Sequence, residues 1–327
     1  MKLEIYTQIL TQVKKFNNIT LFVHERPDFD ALGSAFGFKE FINTYFPEKK
    51  VYVVGTYELN PKYGAVLFPF EKQPLPISFL NESLAILFDI ANSDRVLTKK
   101  HTLAKEIIRI DHHLKVEEIG SIEWVDPTYP SAAEMVAWLI HELGFKITAS
   151  IAKYLYAGIV TDTGRFLYSS TLPSTFLIAS MLLKTGFNRL EVHDAIYLRS
   201  LKEHKLMSYV INRIKVTPQG CAYAILPKNI HRRFDIHDAP LSMVHALNNI
   251  RGVHIWTTIY FDNFSHGWKG SLRSRYFPIN HIASQFNGGG HKFASGFSLK
   301  KKKDFRKLLA TIDNYLKSLC FPEGINV

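Results

Sequence analysis

His24-Glu25-Arg26-Pro27-Asp28-Phe29-Asp30-Ala31-Leu32-Gly33-Ser34 decides how this chain is read. It follows an apolar, β-branched run at 19–23 and leads into a helical pattern over 31–43. Strand, polar turn and helix in that order form the repeating unit of a parallel sheet. The pattern recurs: 50–54, 84–88 and 106–110 read as further strands. A helix is expected at about 131–143, with Ser131 as N-cap, Glu134 at the capping-box position and Gly144 closing it. Two more are expected at 149–160 and 173–184, the latter ended by Gly186. The expectation for residues 1–187 is an α/β domain with a doubly wound, mainly parallel sheet.

Acidic and histidine residues gather where these strands end. The quoted segment follows the first. Asp89 follows the third, with Asn92, Asp94 and Arg95 close behind. Asp111-His112-His113 follows the fourth, and Thr161-Asp162-Thr163-Gly164-Arg165-Phe166 follows the 149–160 helix. Open α/β sheets bind ligands beyond the carboxyl ends of their strands, so parallel strands bring the four segments together there. Read alone, Asp28 and Asp30 are helix N-terminal caps, and a His-His pair is surface or core. Read together, they raise an electrostatic problem. Two carboxylates about 4 Å apart repel by roughly 4 kcal/mol at an effective dielectric of 20. Divalent cations remove that penalty. A carboxylate and imidazole set without thiolate suits Mn2+, Fe2+ or Co2+, with Mg2+ on the oxygen-rich side. Six or more candidate ligands suit two ions sharing a carboxylate, and paired ions clamp phosphoryl oxygens.

Composition excludes several other classes. With 327 residues, 46% hydrophobic and 21% charged, the chain is an ordinary globular protein of about two domains. No apolar run approaches the ~18 residues that span a bilayer, and residues 1–16 alternate polar and apolar without a signal-peptide core. Cys221 and Cys320 are the only two cysteines, too few for a disulfide scaffold or a Cys-rich metal site. A cytoplasmic location without membrane association is expected. The formal net charge is +11. Residues 1–195 carry 20 Lys+Arg against 22 Asp+Glu, and residues 196–327 carry 20 against 7. A second half at +13 points to a polyanionic partner.

That half is organised differently. Residues 188–213 read as a helical connector and 214–327 as a smaller α+β domain. Pro218-Gln219-Gly220 separates strands expected at 213–217 and 221–226, a hairpin signal. Residues 262–266 separate strands expected at 253–261 and 267–273, a second hairpin. Residues 280–286 read as helical. Phe305, Leu308, Leu309, Ile312, Tyr315, Leu316 and Leu319 mark the buried face of a final helix. The lysine run 300–303 reads as its solvated beginning. Gly270-Ser271-Leu272-Arg273-Ser274 precedes Ile282-Ala283-Ser284-Gln285-Phe286-Asn287-Gly288-Gly289-Gly290-His291-Lys292-Phe293-Ala294-Ser295-Gly296. Gly288, Gly289 and Gly290 let backbone N–H groups approach an anion closely. Arg273 supplies a fork suited to phosphate.

These motifs, in this order, resemble the DHH phosphoesterase superfamily, and the second-half signature resembles its DHH-associated substrate-binding domain. The resemblance covers nearly the whole chain, and the plain two-domain form is similar to nanoRNases that also dephosphorylate pAp. It implies that His24, Asp28 and Asp89 hold one metal, and that Asp30, Asp89, His112 and Asp162 hold the other, with Asp89 bridging. It implies that Asp111 orients the histidines from behind and that His113 faces the scissile phosphate. Ser271, Arg273, Gly288, Gly289, Gly290 and His291 are implied to bind substrate. The implied cofactors are two divalent ions, Mn2+ first, with Mg2+ or Co2+ as alternatives. The implied activity is hydrolysis of very short RNA to 5'-mononucleotides and of pAp to AMP. The alternatives are a phosphodiesterase of cyclic dinucleotides or of linear ones such as pApA and pGpG, a manganese pyrophosphatase, and a non-catalytic nucleotide- or RNA-binding module. The Gly288–His291 signature argues against the pyrophosphatase, and a full ligand set argues against the binding module. Short RNA, pAp or dinucleotides are the expected partners, and a homodimer is one of the oligomeric states left open.

The charge division generates a prediction about substrate length. Long RNA is drawn to the basic half, but a substrate gripped by its end has room for only a few nucleotides. Two- to five-mers should be hydrolysed much faster than RNA of about 20 nucleotides, while the long RNA binds with a steep salt dependence. Initial rates against length at fixed 5' label and fixed Mn2+ check this; equal rates for a trimer and a 20-mer would mark a general exonuclease.

Overall fold

The computed structural model describes residues 2–56, 67–235, 242–263 and 265–319. They form two compact units, Met1–Leu198 and Arg199–Val327. The first unit opens with α1 (Lys2–Lys15), β1 (Asn18–Phe22), α2 (Phe29–Tyr45), β2 (Lys50–Val53), α3 (Ile77–Asn81) and β3 (Ser83–Phe88). After two short 3-10 turns come β4 (Glu106–Asp111), β5 (Ile122–Val125), α4 (Ala132–Glu142), α5 (Ala149–Asp162), α6 (Pro173–Leu183) and α7 (Arg189–Tyr197).

All five strands pair in parallel, in the order β2-β1-β3-β4-β5. Strand alternation sends Ile19, Leu21 and Val23 into one core with α2, α4 and α5, and Phe22, Ala85 and Leu87 into a smaller core on the opposite face. Sheet burial on both faces explains why β3 is buried at every position. Ser131 caps α4 by accepting from Glu134 N at 3.1 Å. The Glu134 carboxylate accepts from Trp138 Nε1 at 3.3 Å instead of closing a capping box.

Several elements lie outside the sequence expectation, α1 and β5 among them. The alternating segment at the start forms α1, whose Tyr6, Ile9 and Val13 are buried in the larger core. Tyr6 meets Trp124 of β5 edge-on at 4.8 Å. Strand β5 itself was not expected. It has four residues and alternates charge with bulk, too short a run to register against its neighbours.

The second unit contains α8 (Leu201–Ile211), β6 (Lys215–Val216), β7 (Cys221–Ile225), α9 (Ile230–Phe234), β8 (Ile255–Asp262), β9 (Gly267–Ser274), α10 (Asn280–Ser284), β10 (Gly289–His291), β11 (Ala294–Leu299) and α11 (Phe305–Ser318). Its six strands run β10-β11-β9-β8-β7-β6, antiparallel except for the β7–β8 pair. Both hairpins expected from sequence are present, β6–β7 and β8–β9. The stretch 188–213 holds two helices with different attachments. Val192 and Ile196 of α7 join the core of the first unit, and Leu206 and Val210 of α8 join a core of the second.

The helices over the parallel sheet approach closely because three of their residues lack a side chain. A Cβ on Gly33 would lie 2.5 Å from Tyr154 O, and one on Gly37 2.5 Å from a Leu155 methyl. A Cβ on Gly158 would lie 2.6 Å from the Ala133 Cβ and 2.8 Å from Asp30 Oδ1. Gly158 is therefore where α2, α4 and α5 converge on a carboxylate. Gly158→Ala should lower stability by about 1–3 kcal/mol through overpacking. A urea midpoint checks it, and an unchanged midpoint would mean that the three helices separate without strain.

Candidate metal centre

Parallel pairing sets the carboxyl ends of β1, β3 and β4 side by side. His24 lies two residues beyond β1. Asp89 follows β3 directly, in left-handed backbone at φ 58°, a conformation that costs energy in a non-glycine residue. Asp111 ends β4, and His112 and His113 continue from it. Asp28 caps α2, accepting from Asp30 N and Ala31 N at 3.0 Å each. Asp30 is fully buried, and its two oxygens accept from Ala132 N at 2.7 Å and Ala133 N at 2.9 Å. The N-terminus of α4 thus holds one of the carboxylates, as helix dipoles favour. Asp162 ends α5.

These side chains meet. His24 Nε2 is 3.7 Å from Asp28 Oδ2 and 3.4 Å from Asp89 Oδ2. His112 Nε2 is 3.3 Å from Asp89 Oδ1, 3.4 Å from Asp162 Oδ2 and 3.7 Å from Asp30 Oδ2. Carbonyl oxygens fix both rings. His24 Nδ1 donates to Glu25 O at 2.8 Å and His112 Nδ1 to Tyr129 O at 3.3 Å. A carbonyl only accepts, so in the neutral rings Nε2 carries the lone pair, the tautomer a metal ligand requires. Three ligand groups result, each with its atoms within 4.8 Å of one another: His24, Asp28 and Asp89; Asp30, His112 and Asp162; Asp89, His112 and His113. Asp89 and His112 each belong to two of them. The cluster is buried at Asp30 and Asp89 and opens to solvent at Asp28, whose side chain is 50% exposed.

The electrostatics show what this packing requires. Burial favours a neutral His24, yet contact with Asp28 and Asp89 outweighs it and pushes the ring up to about 11. Burial likewise opposes charge on His112, and Asp89 raises it well above the usual imidazole value. Burial, then the Asp89 charge, pushes Asp30 up to about 8. Burial with the Asp30 and Asp28 charges raises Asp162 well above the carboxylate range. Burial would raise Asp89 too, but contacts with His112 and His24 hold it well below that range. The packing thus drives imidazole and carboxylate toward their protonated forms, and a divalent cation would take the place of those protons. Asp89 Oδ1 is buried and accepts no hydrogen bond, as suits an oxygen placed for a metal. The residues fit such ions.

Asp111 reaches one of the two histidines expected of it. Its Oδ1 accepts from His113 N at 3.2 Å and His113 Nδ1 at 2.8 Å. His112 is held by the Tyr129 carbonyl instead. Behind Asp111 stands Arg109, which the sequence reading passed over. Arg109 is fully buried, two residues earlier on the same strand face and laterally paired with Glu123 of β5. Its NH2 is 3.7 Å from Asp111 Oδ2, its NH1 is 3.8 Å from Glu123 Oε1, and NH1 donates to Glu117 O at 3.0 Å. Lys115 closes the row at 2.9 Å from Glu123 Oε2. An arginine inside the apolar run 106–110 was the signal for it.

The substrate residues expected in the second unit fall on neighbouring strands. Register aligns Ser271 with Gly296 and Gly289, and Arg273 with Ala294 and His291. The His291 side chain lies outside the described residues. Arg273 is half-buried, and its NH1 donates to Leu272 O at 2.9 Å and Ser295 O at 3.3 Å. The glycines do not form a free loop. Gly289 and Gly290 start β10, and a Cβ on Gly288 would lie 2.1 Å from Gly296 O. Gly290, at φ 132°, needs the freedom glycine alone has. Close strand approach is the reason for Gly288, while Gly289 leaves open space.

Comparison with known proteins agrees with this layout. The DHH family, N-terminal domain, matches residues 18–159, and the DHHA1 domain matches residues 220–318. An uncharacterized protein of Mycoplasma pneumoniae is 52% identical over 94% of this chain and 94% of its own. The same organism's bifunctional oligoribonuclease and PAP phosphatase NrnA is 30% identical over 92% of this chain and 94% of its own. The crystal structure of an exopolyphosphatase-related protein from Bacteroides fragilis covers 97% of this chain and 98% of that one, with a TM-score of 0.84 and 26% identity.

Arg109 yields the prediction of this section. Arg109→Met removes the buried guanidinium beside Asp111 and leaves that carboxylate with its hydrogen bonds from His113. The expected loss is roughly 3–5 kcal/mol by denaturant unfolding. Arg109→Lys should recover part of it. Unfolding of Arg109→Met at the wild-type midpoint would show that Asp111 does not depend on this charge.

Proposed function

The chain belongs to the DHH family of phosphoesterases, and from that premise we propose that it is a two-metal hydrolase of very short RNA and of pAp. It would release 5'-mononucleotides from the first and AMP from the second. The observation that carries this reading is the linked set of ligand groups sharing Asp89 and His112 at the ends of parallel strands. In this reading His24, Asp28 and Asp89 hold one ion, and Asp30, Asp89, His112 and Asp162 hold the other. The oxygen and imidazole donors, with no thiolate, favour Mn2+, with Mg2+ or Co2+ as alternatives. When bound, such ions supply positive charge beside the phosphoryl oxygens and make water a stronger nucleophile near neutral pH.

The chain's own residues supply the rest. Asp111 accepts the Nδ1 proton of His113 and fixes that ring. His113 would face the scissile phosphate with its Nε2 toward a phosphoryl oxygen that gains charge during the reaction. Backbone N–H groups of α4 hold Asp30, so this ligand needs no reorganisation. In the second unit Arg273 and Ser271, with Gly288, Gly289, Gly290 and His291, would bind the substrate's terminal phosphate or nucleotide. A guanidinium with two of its bonds to carbonyls is already oriented for that role. We further propose that the protein acts in the cytoplasm and that its functional state is either a monomer or a homodimer.

The substrate is proposed from the NrnA relative's activity. The chain is nearer to the uncharacterized Mycoplasma pneumoniae protein than to NrnA of that organism, so the experiment must rank substrates. Metal-free protein with added Mn2+ should be offered pAp, pApA, pGpG, cyclic dinucleotides, pyrophosphate and a two- to five-mer RNA series. Turnover of pAp and short RNA above the others is expected. Preference for a cyclic dinucleotide or for pyrophosphate would overturn the reading. Asp89→Ala should lower turnover by more than about 100-fold, because losing an outer-shell partner alone costs 10–100-fold. It should also lower bound metal, measured by elemental analysis. Full occupancy and full turnover in that variant would remove Asp89 from the centre.

A further inference from the structure

The positive charge of residues 196–327 exceeds what Arg273 and His291 can account for. Part of it is concentrated on α8 and α9. Lys202, Lys205 and Tyr209 recur at i, i+3 and i+7 along one flank of α8, beside the buried stripe of Leu206 and Val210. Arg213 follows the helix. Its guanidinium carbon lies 3.5 Å from the centre of the Tyr209 ring, and that of Arg233, on α9, lies 4.7 Å from the same centre. Phe234 meets Tyr209 edge-on at 5.3 Å. Two like charges are therefore held against one ring whose other neighbour is aromatic.

Little acid balances them. Of the two carboxylates on this stretch, Glu203 accepts from Ser200 N at the helix start and Asp235 pairs with Lys202. Among the described residues, Lys205, Arg213, Arg232 and Arg233 are exposed and make no ion pair with a carboxylate. Strand alternation relates this patch to the Arg273 row. Trp256 and Tyr260 of β8 share a core with Leu206, Val210 and Ile230, so α8 and α9 cover that face of the sheet at the β7 side. Arg273 pairs with Trp256 and Ser271 with Thr258, which puts both on the same face.

We propose that the α8–α9 face is a docking surface for the sugar–phosphate backbone of single-stranded RNA, distinct from the Arg273 row. The proposal rests on the reading above, in which Arg273 takes the substrate's end, and it places the body of a longer oligonucleotide beside it. Planar guanidinium forks suit phosphate oxygens, and an aromatic–arginine stack offers a platform for bases without reading sequence. The patch favours RNA over an anionic lipid surface because its aromatic ring, Tyr209, is engaged by two guanidinium groups and Phe234.

The test is Arg213→Ala/Arg233→Ala in the full chain. Binding of a fluorescein-labelled 12-mer RNA is followed by anisotropy with chelator present, across a salt series. The variant should bind roughly tenfold more weakly, and its salt slope should shrink by about 1.4, from about 0.7 for each phosphate that is no longer neutralised. With Mn2+ added, its turnover of pAp and of dinucleotides should match wild type. Arg213→Lys/Arg233→Lys should keep the salt slope and lose only part of the affinity, which separates charge from misfolding. Unchanged 12-mer affinity and slope in the alanine variant would overturn the proposal. So would a wild-type protein that binds phosphatidylglycerol vesicles through these arginines and binds no RNA. If wild type turned over neither pAp nor short RNA while the RNA binding still fell as expected, the function proposed above would fail and the docking surface would stand.

Discussion

Carboxylate repulsion at the ends of β1, β3 and β4 is the constraint on which the rest of the first unit depends. Asp28, Asp30, Asp89 and Asp162 sit close enough for each to perturb the others, and burial amplifies the effect. Nothing in an apolar core would hold such a cluster. Three of them are instead tied separately to a fixed dipole or charge, while Asp162, at the end of α5, has the His112 ring beside it. Asp28 has the first N–H groups of α2, Asp30 those of α4, and Asp111 the Arg109 guanidinium. Asp89 has His24 and His112, and its left-handed backbone adds strain at the position where most contacts meet. The fold thus restrains the ligands before any ion arrives, which is what preorganisation means for a metal site.

The same constraint explains the packing behind the site. For an α4 N-terminus to reach Asp30, α2, α4 and α5 must come within backbone contact. Gly33 and Gly158 permit this, and Gly158 stands directly against the Asp30 carboxylate. Packing and electrostatics are not separate accounts here. A methyl group at that point would move a helix and a ligand together.

The sequence carried the parts of this arrangement whose chemistry is local. His24, Asp28, Asp30, Asp89, Asp111, His112 and His113 were legible because polar residues interrupt apolar runs at the points where a parallel sheet ends, and Asp162 because it follows an apolar helix. The β8–β9 hairpin was legible from its turn, since Asp262 accepts from Ser265 within it. What was hidden depends on tertiary partners. The α1 helix carries Tyr6, Ile9 and Val13 at i, i+3 and i+7, a spacing read in the sequence only as alternation, and is fixed by burying them against the sheet. Strand β5 exists because β4 offers it an edge. Arg109 was passed over because its partner Glu123 comes from that unforeseen strand. Tyr129 acts through its carbonyl, which no side-chain motif can signal. The glycine triplet was read as an approach for an anion to the backbone, and what the structure adds is strand approach at Gly288 and backbone angle at Gly290.

The division of charge between the units follows from the same physics. Residues 1–195 carry net −2 and hold the carboxylate cluster, so this unit by itself gives a polyanion no reason to approach. Cationic capacity has to be placed where it cannot neutralise the ligands, and the second unit carries it at +13. Within that unit it takes two forms. Arg273 is half-buried and tied to carbonyls, a fixed fork suited to one phosphate. Arg213 and Arg233 are exposed and share one ring, a surface suited to a chain of phosphates in any sequence. A phosphate reaching the first unit meets the carboxylates as repulsion unless cations already balance them. In the proposed function, cation occupancy and substrate affinity would therefore be linked through the chain's own charges, each raising the other by the same factor.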